Sequence, residues 1–413
     1  MQHYKRWHIE VAKEAIKYSR IGLLLGARQC GKTTLAKDLN VANCIYRTLD
    51  SEQQLEAALT DPEGFVDHGD ELMIIDEVHR SPALIRAIKK NVDENTQYGR
   101  FLITGSANIR TLPTVTESLA GRVSRIRLRT LSMGEICGTS PTFVEQAVTG
   151  AFSETITTPS KPYTKADYLQ LALTGGYPEP RILPAKQASN WYRAYIETLV
   201  EHDLNYIINI RRKDDMQQLL ALLASWSTKI INIEAIGGPL SIQRPTVESY
   251  INALETLYLI DRVPAWRKTD YAIARKKDKL FVSDTGLLSA ILHWTFDKVQ
   301  FDSDCNGKLI ENFVYQQLVS VINASIDTYY IYHYRDGAKR EIDFLVKNMN
   351  GDILGIEVKA GSVVKKEHFR HLVWFRDNVV KHTNFKGIVL YTGEHIIPFG
   401  KNLWAMPISA LWG

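Results

Sequence analysis

The stretch Gly26–Thr33 constrains the fold of this chain more than any other feature of its sequence. It reads GARQCGKT and fits the pattern G-x-x-x-x-G-K-[ST]. The apolar run Ile21–Leu25 precedes it and a helical stretch beginning at Thr33 follows it, which predicts a buried strand, a tight loop and a helix in succession. Glycines let backbone N–H groups approach phosphates, and the helix adds its positive end. The sequence therefore predicts an α/β domain whose loop binds a nucleoside triphosphate.

The residues of this loop have predicted roles. We expect the Lys32 ammonium group to contact the β- and γ-phosphates and the Thr33 hydroxyl to coordinate Mg²⁺. ATP and Mg²⁺ are the expected ligands. The predicted nucleotide-binding residues of the loop are Gly26, Ala27, Arg28, Gln29, Cys30, Gly31, Lys32, Thr33 and Thr34.

Two carboxylates end a second buried strand, Leu72–Ile75. Asp76 and Glu77 follow four apolar residues, where a charge is costly unless it has a partner or a task. Asp76 fits the carboxylate on the Mg²⁺ side, and Glu77 fits the base that orients and deprotonates an attacking water. A structural ion pair is the alternative. The Asp76–Glu77 pair also argues against a small-molecule kinase, because a kinase transfers the phosphoryl group to a substrate hydroxyl and not to a positioned water.

Further strands complete the predicted parallel sheet, at Cys44–Leu49, Phe101–Thr104 and Arg125–Leu128. The Phe101 strand ends in the polar sequence GSAN. Ser106 is the first candidate, and Asn108 the second, for a residue that senses the γ-phosphate. The alternative is an ordinary Ser/Asn turn.

The order of these motifs resembles a known family. The loop, LMIIDEVHR, FLITGSAN, SLAGR and TLSMGEI occur in the order seen in a group of AAA-superfamily ATPases common in archaea and bacteria, in which the ATPase is fused to a C-terminal domain of unknown function. The resemblance extends nearly end to end and includes TGGYPEP and FVSDTGLL. Ala27 stands where a proline is usual, which should alter the stiffness of the loop more than its phosphate contacts.

The resemblance implies a role for an arginine. Arg122 of SLAGR would act as an arginine sensor or finger that stabilises charge on the transferred phosphoryl group, supplied across the interface of a homo-oligomer. Arg125, Arg127 and Arg129 are nearby alternatives. A solvated basic strand face would also explain all four.

The middle of the chain predicts a helix–turn–helix. Ile233–Ile236 and a helix from Arg244 to Tyr258 flank a Gly-Pro turn, and Val247, Ile251 and Leu254 recur at helical spacing. The family resemblance also implies a winged helix, which would either contact DNA or serve as a connector or protein-binding surface. The following basic stretch could grip phosphates through Arg262, Arg267, Lys268, Arg275, Lys276, Lys277 and Lys279.

Near the C-terminus, two strands carry charged residues on one face. Glu357 and Lys359 lie two residues apart and share a face, which Asp343 can meet from the adjacent strand. We expect Asp343 and Glu357, with Glu311 from a preceding helix, to hold Mg²⁺, and Lys359 to position or activate a water for phosphodiester attack. The arrangement resembles the restriction-endonuclease-like PD-(D/E)xK core. A non-cleaving nucleic-acid-binding descendant and a purely structural domain are the alternatives.

Composition sets broad limits. The net charge of +4 neither requires nor excludes a nucleic-acid partner. No apolar run approaches the roughly 20 residues that a membrane-spanning helix needs. The four cysteines lie far apart, which indicates reduced thiols and a cytoplasmic location.

We therefore expect an α/β protein in four parts: a P-loop AAA-type parallel-sheet domain (1–135), a helical lid or connector (136–212), a winged-helix-like module (213–275) and a restriction-endonuclease-like α/β domain (276–413). The predicted function is an ATPase coupled to a nuclease-like domain that acts on DNA. The alternative is a signalling or switch ATPase whose C-terminal half binds a protein partner and does not cleave DNA. Salt-dependent DNA affinity distinguishes the two functions.

Overall fold

The structure, a computed structural model, describes residues 3–105, 119–150, 156–204, 213–268, 277–381 and 384–413. Its N-terminal part contains a five-stranded parallel sheet with the strand order β2-β3-β4-β1-β5. The strands are β1 (Ile21–Gly26), β2 (Cys44–Thr48), β3 (Leu72–Asp76), β4 (Phe101–Thr104) and β5 (Val123–Leu128). Each contains or nearly equals a predicted strand, so the predicted parallel sheet is confirmed.

Helices cover this sheet, and the central strands β1, β3 and β4 are buried throughout. The helix Ala83–Glu94 buries one face, which is formed by apolar residues at helical spacing: Leu84, Ile85, Ile88 and Val92. Because all strands of this sheet are parallel, the loop after β1 lies at the carboxyl edge of the sheet, and β1 itself lies between β4 and β5. The helices are α1 (His8–Tyr18), α2 (Lys32–Lys37), α3 (Glu52–Thr60), α4 (Pro62–Val66) and α5 (Ala83–Glu94).

A helical connector follows the sheet. It contains α6 (Met133–Cys137), α7 (Phe143–Thr149), α8 (Lys165–Thr174), the 3₁₀ turn Pro180–Ile182 and α9 (Ala185–Thr198). Gly175 ends α8 with φ 72°, and a Cβ atom there would lie 2.5 Å from the Asp284 carboxylate. Glycine therefore allows the chain to turn tightly against the later part of the protein, and the turn directs Pro180–Ile182 toward the loop after β1.

The next segment combines helices with a two-stranded antiparallel hairpin. They are α10 (Lys213–Ser225), α11 (Ile233–Gly237), α12 (Arg244–Thr256), β6 (Ile260–Val263) and β7 (Lys279–Val282). Val247, Ile251 and Leu254 form the buried stripe of α12, as expected. The hairpin register pairs Val263 with Lys279. The prediction that Lys279 grips phosphates is wrong, because its side chain is only 1% exposed and lies among carboxylates. Arg275 and Lys276 fall outside the described residues.

The C-terminal part contains a six-stranded mixed sheet with the order β12-β13-β11-β10-β9-β8. The pairs β8–β9, β9–β10 and β12–β13 are antiparallel, whereas β10–β11 and β11–β13 are parallel. The strands are β8 (Tyr329–Arg335), β9 (Glu341–Asn348), β10 (Ile353–Lys359), β11 (Phe385–Tyr391), β12 (Ile397–Pro398) and β13 (Leu403–Pro407). The helices are α13 (Thr285–Ile291), α14 (Phe296–Phe301), α15 (Ser303–Ala324) and α16 (Arg370–Asn378).

Helix α15 contacts every part of the protein. Several of its buried polar side chains make hydrogen bonds to these parts. The Tyr315 hydroxyl donates to Asp261 of the hairpin (3.0 Å), and the Gln317 side chain accepts from the backbone N–H of Met133 (2.7 Å). In the part of the chain that the structure describes, no helix combines the length and apolar character needed to span a bilayer.

Candidate functional site

The loop between β1 and α2 has the backbone conformation that its glycines allow. Gly31 has φ 102°, a region that side chains rarely adopt. The buried Lys32 ammonium donates to the carbonyl oxygens of Gly26 (3.2 Å) and Ala27 (2.9 Å). These two hydrogen bonds keep the charge above the loop, where the sequence predicts the β- and γ-phosphates.

Distant residues that sequence reasoning missed brace this loop. The buried Arg6 guanidinium donates to the Cys30 carbonyl (2.7 Å) and to the Arg129 carbonyl (2.6 Å), and pairs with the Glu135 carboxylate (2.9 Å). Burial raises the pKa of Glu135, but the charge of Arg6 outweighs it and holds that pKa below its ordinary value. Glu135, the one charged residue in the stretch TLSMGEI, was the available signal, whereas Arg6 stands among other polar and charged residues and gave none.

Thr33 and Asp76, both predicted on the Mg²⁺ side, are in direct contact. The Thr33 hydroxyl donates to one Asp76 oxygen (2.8 Å), and the Tyr46 hydroxyl donates to the same oxygen (3.0 Å). Thr104 at the end of β4 donates to the other oxygen. A hydroxyl and a buried carboxylate at one point offer the hard oxygen ligands that Mg²⁺ prefers. These residues therefore fit Mg²⁺; Tyr46 and Thr104 were not predicted.

Glu77 directly follows β3 with φ 57°, uncommon for a residue with a side chain. Its backbone N–H donates to the Thr104 hydroxyl (3.2 Å), and its carboxylate lies 3.0 Å from His79 Nδ1. Burial raises the pKa of Glu77, but the hydrogen bond from His79 and the charge of Lys32 outweigh it, so the net pKa is lowered. Glu77 is therefore ionised at neutral pH, as a base for water must be.

Lys32, Thr33, Glu77 and His79 line a cleft of about 770 Å³, and Asp76 contacts it through Thr33. The loop and Glu77 form one side. The connector supplies further lining residues, and so does the segment before α1. The lining residues that sequence reasoning missed include Tyr4, Arg6, Leu131, Pro178, Glu179 and Ile182. The TGGYPEP motif, which contains Pro178 and Glu179, was the available signal.

A hydrogen bond from α9 also joins the connector to the loop after β1. The Tyr195 hydroxyl of α9 donates to the Arg28 carbonyl (3.1 Å) and lies 3.0 Å from the Tyr177 hydroxyl. The turn before Pro178 is in turn bonded to the later part of the chain, because the Gly176 N–H donates to Asp284 (2.8 Å). A hydrogen-bonded route therefore joins the loop, the connector and the C-terminal half.

Arg122 lies away from this cleft. Its carbonyl accepts from the N–H of Ile21 at the amino edge of the sheet, and its guanidinium makes two hydrogen bonds to Asp93 (2.5 and 3.1 Å). Arg127 and Arg129, two of the alternatives, both pair with Asp261 of the hairpin, and the third, Arg125, is exposed. None of the four reaches the cleft of its own chain, and a role in trans stays a prediction for Arg122. Ser106 and Asn108 lie outside the described residues.

In the C-terminal part, the four residues predicted for phosphodiester chemistry come together. Glu311 projects from α15, Asp343 from β9, and Glu357 and Lys359 from β10. The Lys359 ammonium lies 3.0 Å from the Glu357 carboxylate, and Asp343 accepts from the N–H of Val358 (2.8 Å). Burial and the charge of Asp343 raise the pKa of Glu357.

A fifth residue, Lys279, occupies the middle of this group. Its ammonium lies 2.7 Å from Glu311, 3.2 Å from Glu341 and 3.5 Å from Asp343. Within the described ranges, no three His, Cys, Asp or Glu side chains are arranged to hold a metal ion. That Glu311, Asp343 and Glu357 hold Mg²⁺ stays a prediction, and the ammonium group of Lys279 among these carboxylates opposes it.

Family models match three ranges of the chain. Residues 18–137 match the model described as an AAA domain. Residues 165–298 and 306–411 match models described as domains of unknown function, DUF8612 and DUF4143. Residues 18–137 are therefore similar to AAA domains, and their parallel sheet with the loop after β1 fits a P-loop ATPase domain; this part is called the AAA domain below.

Similar proteins occur in mycobacteria and among solved structures. Protein Rv2008c of Mycobacterium tuberculosis and protein Mb2031c of Mycobacterium bovis, both titled uncharacterized, are each 26% identical over 404 residues, covering 97% of this chain and 82% of theirs. The Walker-type ATPase PABY2304 of Pyrococcus abyssi is 13% identical and covers 69% of this chain and 94% of its own, with a TM-score of 0.41. The RuvB branch migration motor of Thermotoga maritima is 17% identical and covers 62% and 87%, with a TM-score of 0.27. At these scores the two structures add nothing to the assignment.

Proposed function

We propose that this chain is an ATP-hydrolysing switch: it binds ATP with Mg²⁺ in the cleft of its AAA domain, hydrolyses it, and uses the bound nucleotide to control its connector and C-terminal half. The observation that carries the proposal is the convergence of Lys32, Thr33, Asp76 and Glu77 on one cleft. Each group has the chemistry that its task in phosphoryl transfer requires.

The residues divide the work as follows. The Lys32 ammonium exchanges its carbonyl partners for oxygens of the β- and γ-phosphates. Thr33 and Asp76 would hold Mg²⁺, which would supply positive charge to neutralise the phosphate oxygens. The ionised Glu77 accepts a proton from the attacking water, and His79, 3.0 Å from its carboxylate, orients it.

The test is Glu77→Gln, which keeps the shape of the side chain but removes the base. We expect this variant to bind ATP with unchanged affinity and to hydrolyse it about 10²–10⁴ times more slowly. Thr48→Ser, at the end of β2 and outside the cleft lining, is a matched control with turnover near the wild-type rate. Normal turnover in Glu77→Gln would remove Glu77 from its role.

The contacts of the connector support control by nucleotide. Pro178, Glu179 and Ile182 line the same cleft as the loop, so a bound nucleotide touches both the AAA domain and the connector. The adjoining Gly176 is bonded to Asp284, which also accepts from Gln316 of α15 (3.1 Å). A shift of the connector on ATP binding would therefore change the hydrogen bonds that Asp284 makes with α15.

The proposal includes a subunit neighbour. Arg122 lies at the amino edge of the sheet, whereas the cleft lies at the carboxyl edge. A head-to-tail arrangement of subunits joins two different surfaces of the same chain and can close into a ring. In such an assembly, Arg122 of one subunit would leave Asp93 and reach the γ-phosphate held by its neighbour.

The second candidate function is an ATPase-controlled nuclease that acts on DNA. The meeting of Glu311, Asp343, Glu357 and Lys359 favours it, and the position of Lys279 opposes it. The deciding experiment measures Mg²⁺-dependent cleavage of linear, branched and single-stranded DNA, with and without ATP, for the wild type and Glu357→Ala. Cleavage that this variant loses would establish the nuclease. DNA affinity that does not fall with salt, or no affinity at all, would favour a protein partner for the C-terminal half.

A further inference from the structure

A buried lysine occupies the position where the C-terminal carboxylates would hold an ion. We define the carboxylate cluster as Glu311, Glu341, Asp343 and Glu357. We propose that Lys279 is a built-in cation that takes the place of a divalent metal ion in this cluster, so that the cluster takes up no metal while Lys279 stays in position. This proposal does not depend on the chemistry of the nucleotide cleft.

The distances support this assignment. The Lys279 ammonium lies within 3.5 Å of three carboxylates from two elements: Glu311 of α15, and Glu341 and Asp343 near the start of β9. An ammonium group has three donors, and these three carboxylates can take one each. Its side chain is 1% exposed, so water does not replace any of these partners.

The backbone fixes Lys279 in this position. Val263 pairs with it across the hairpin, and Ile230 forms an antiparallel bridge with it on the other side. The N–H of the next residue, Leu280, donates to the Lys229 carbonyl (3.0 Å). Because β7 is bonded on both sides, the ammonium cannot leave the carboxylates by a movement of the hairpin tip alone.

The charges nearly balance without a metal. The four carboxylates face Lys279, Lys359 beside Glu357 (3.0 Å), and Arg335, which lies 3.7 Å from Glu341. Four negative and three positive charges leave one surplus negative charge, and a single proton neutralises it.

The hairpin that carries Lys279 is also fastened to the AAA domain. Asp261 on β6 binds Arg127 of β5 and Arg129 just beyond it. β5 pairs along its length with β1, which leads into the phosphate-binding loop. The element that keeps the cation in the cluster is therefore held by the strand next to the nucleotide cleft.

The experiment counts Mn²⁺ ions bound to the full chain without nucleotide, by electron paramagnetic resonance of free Mn²⁺. Wild type and Asp343→Asn should bind equally, because the cluster contributes no site to either. Lys279→Met should gain one Mn²⁺ site, and the double variant Lys279→Met/Asp343→Asn should lose it again. Lys359→Met removes an equal charge from the rim of the cluster and should gain no site.

Three results would overturn the proposal: a wild-type Mn²⁺ site that Asp343→Asn abolishes, a folded Lys279→Met protein that gains no site, or a gain in Lys359→Met alone. Circular dichroism and ATP binding report whether Lys279→Met is folded. If it is not, the comparison of wild type with Asp343→Asn still decides. ATP turnover is measured separately, so failure here is distinguishable from failure of the proposed ATPase.

Discussion

The carboxylate of Asp261 joins the AAA domain to the hairpin, and its removal is the most demanding test of the packing described above. It is buried, accepts from Arg127 and Arg129 (2.6 Å for the latter), and receives the Tyr315 hydroxyl at 3.0 Å. Asp261→Asn keeps the volume but leaves two guanidinium groups without their counter-charge. Breaking a buried ion pair by neutralising one partner costs about 3–5 kcal/mol. A loss of this size is a large part of the stability of a domain, which is about 5–15 kcal/mol.

We expect Asp261→Asn to lower the free energy of unfolding by about 3–5 kcal/mol, measured by urea denaturation with circular dichroism. The matched control is Glu255→Gln. Glu255 lies just before the hairpin and pairs with Arg262 on β6, so this variant removes the carboxylate partner of that arginine. Both members of that pair are about one-third exposed, so its loss should cost less than about 1 kcal/mol. Equal, small losses in the two variants would refute the reasoning, because burial would then make no difference to the value of the charge.

Three further predictions address other parts of the chain. Burial lowers the pKa of His8 to about 4, so the stability that neutral His8 provides is present above pH 6.5 and is lost as the pH falls to 4. Between pH 7 and pH 4, the free energy of unfolding of the wild type, measured in urea, should fall by about 3 kcal/mol more than that of His8→Leu. Tyr195→Phe removes the hydrogen bond to the Arg28 carbonyl and should weaken ATP binding about fivefold in a titration, with circular dichroism unchanged. Arg122→Ala should slow ATP turnover about 10³-fold if it acts across subunits, whereas Asp93→Ala should not; equal effects would assign the pair a structural role only.

The parallel sheet was predictable because its strands are local apolar runs. Each run of four to six residues is bounded by turn or helix signals, and its apolar character predicts burial without knowledge of its partners. The meeting of Thr33 with Asp76 was predictable for a related reason. Thr33 lies in the helix that follows β1, Asp76 ends β3, and parallel strands bring their carboxyl ends and the loops after them to one edge of the sheet.

Buried charges were not predictable, because their partners lie far away in sequence. Arg6 finds Glu135 across 129 positions, and nothing near either residue indicates the other. Lys279 belongs to a basic stretch, which favoured an exposed phosphate-binding strand. Its actual environment depends on the side of β7 that faces α15 and β9, and this is fixed only by the tertiary packing.

The position of α15 restricts how a chain of this kind can be reshuffled in evolution. The helix begins at Ser303, three residues before the last matched range. Its residues Tyr315, Gln316 and Gln317 nevertheless make hydrogen bonds with Asp261, Asp284 and Met133, which precede it in the chain. A fragment ending before residue 303 would keep these groups and lose one hydrogen-bond partner of each. A foreign C-terminal half would replace them only if it carried matching side chains at the same three positions. The AAA domain, the connector and the C-terminal sheet should therefore be inherited as one piece, with recombination between relatives tolerated only where these three positions agree.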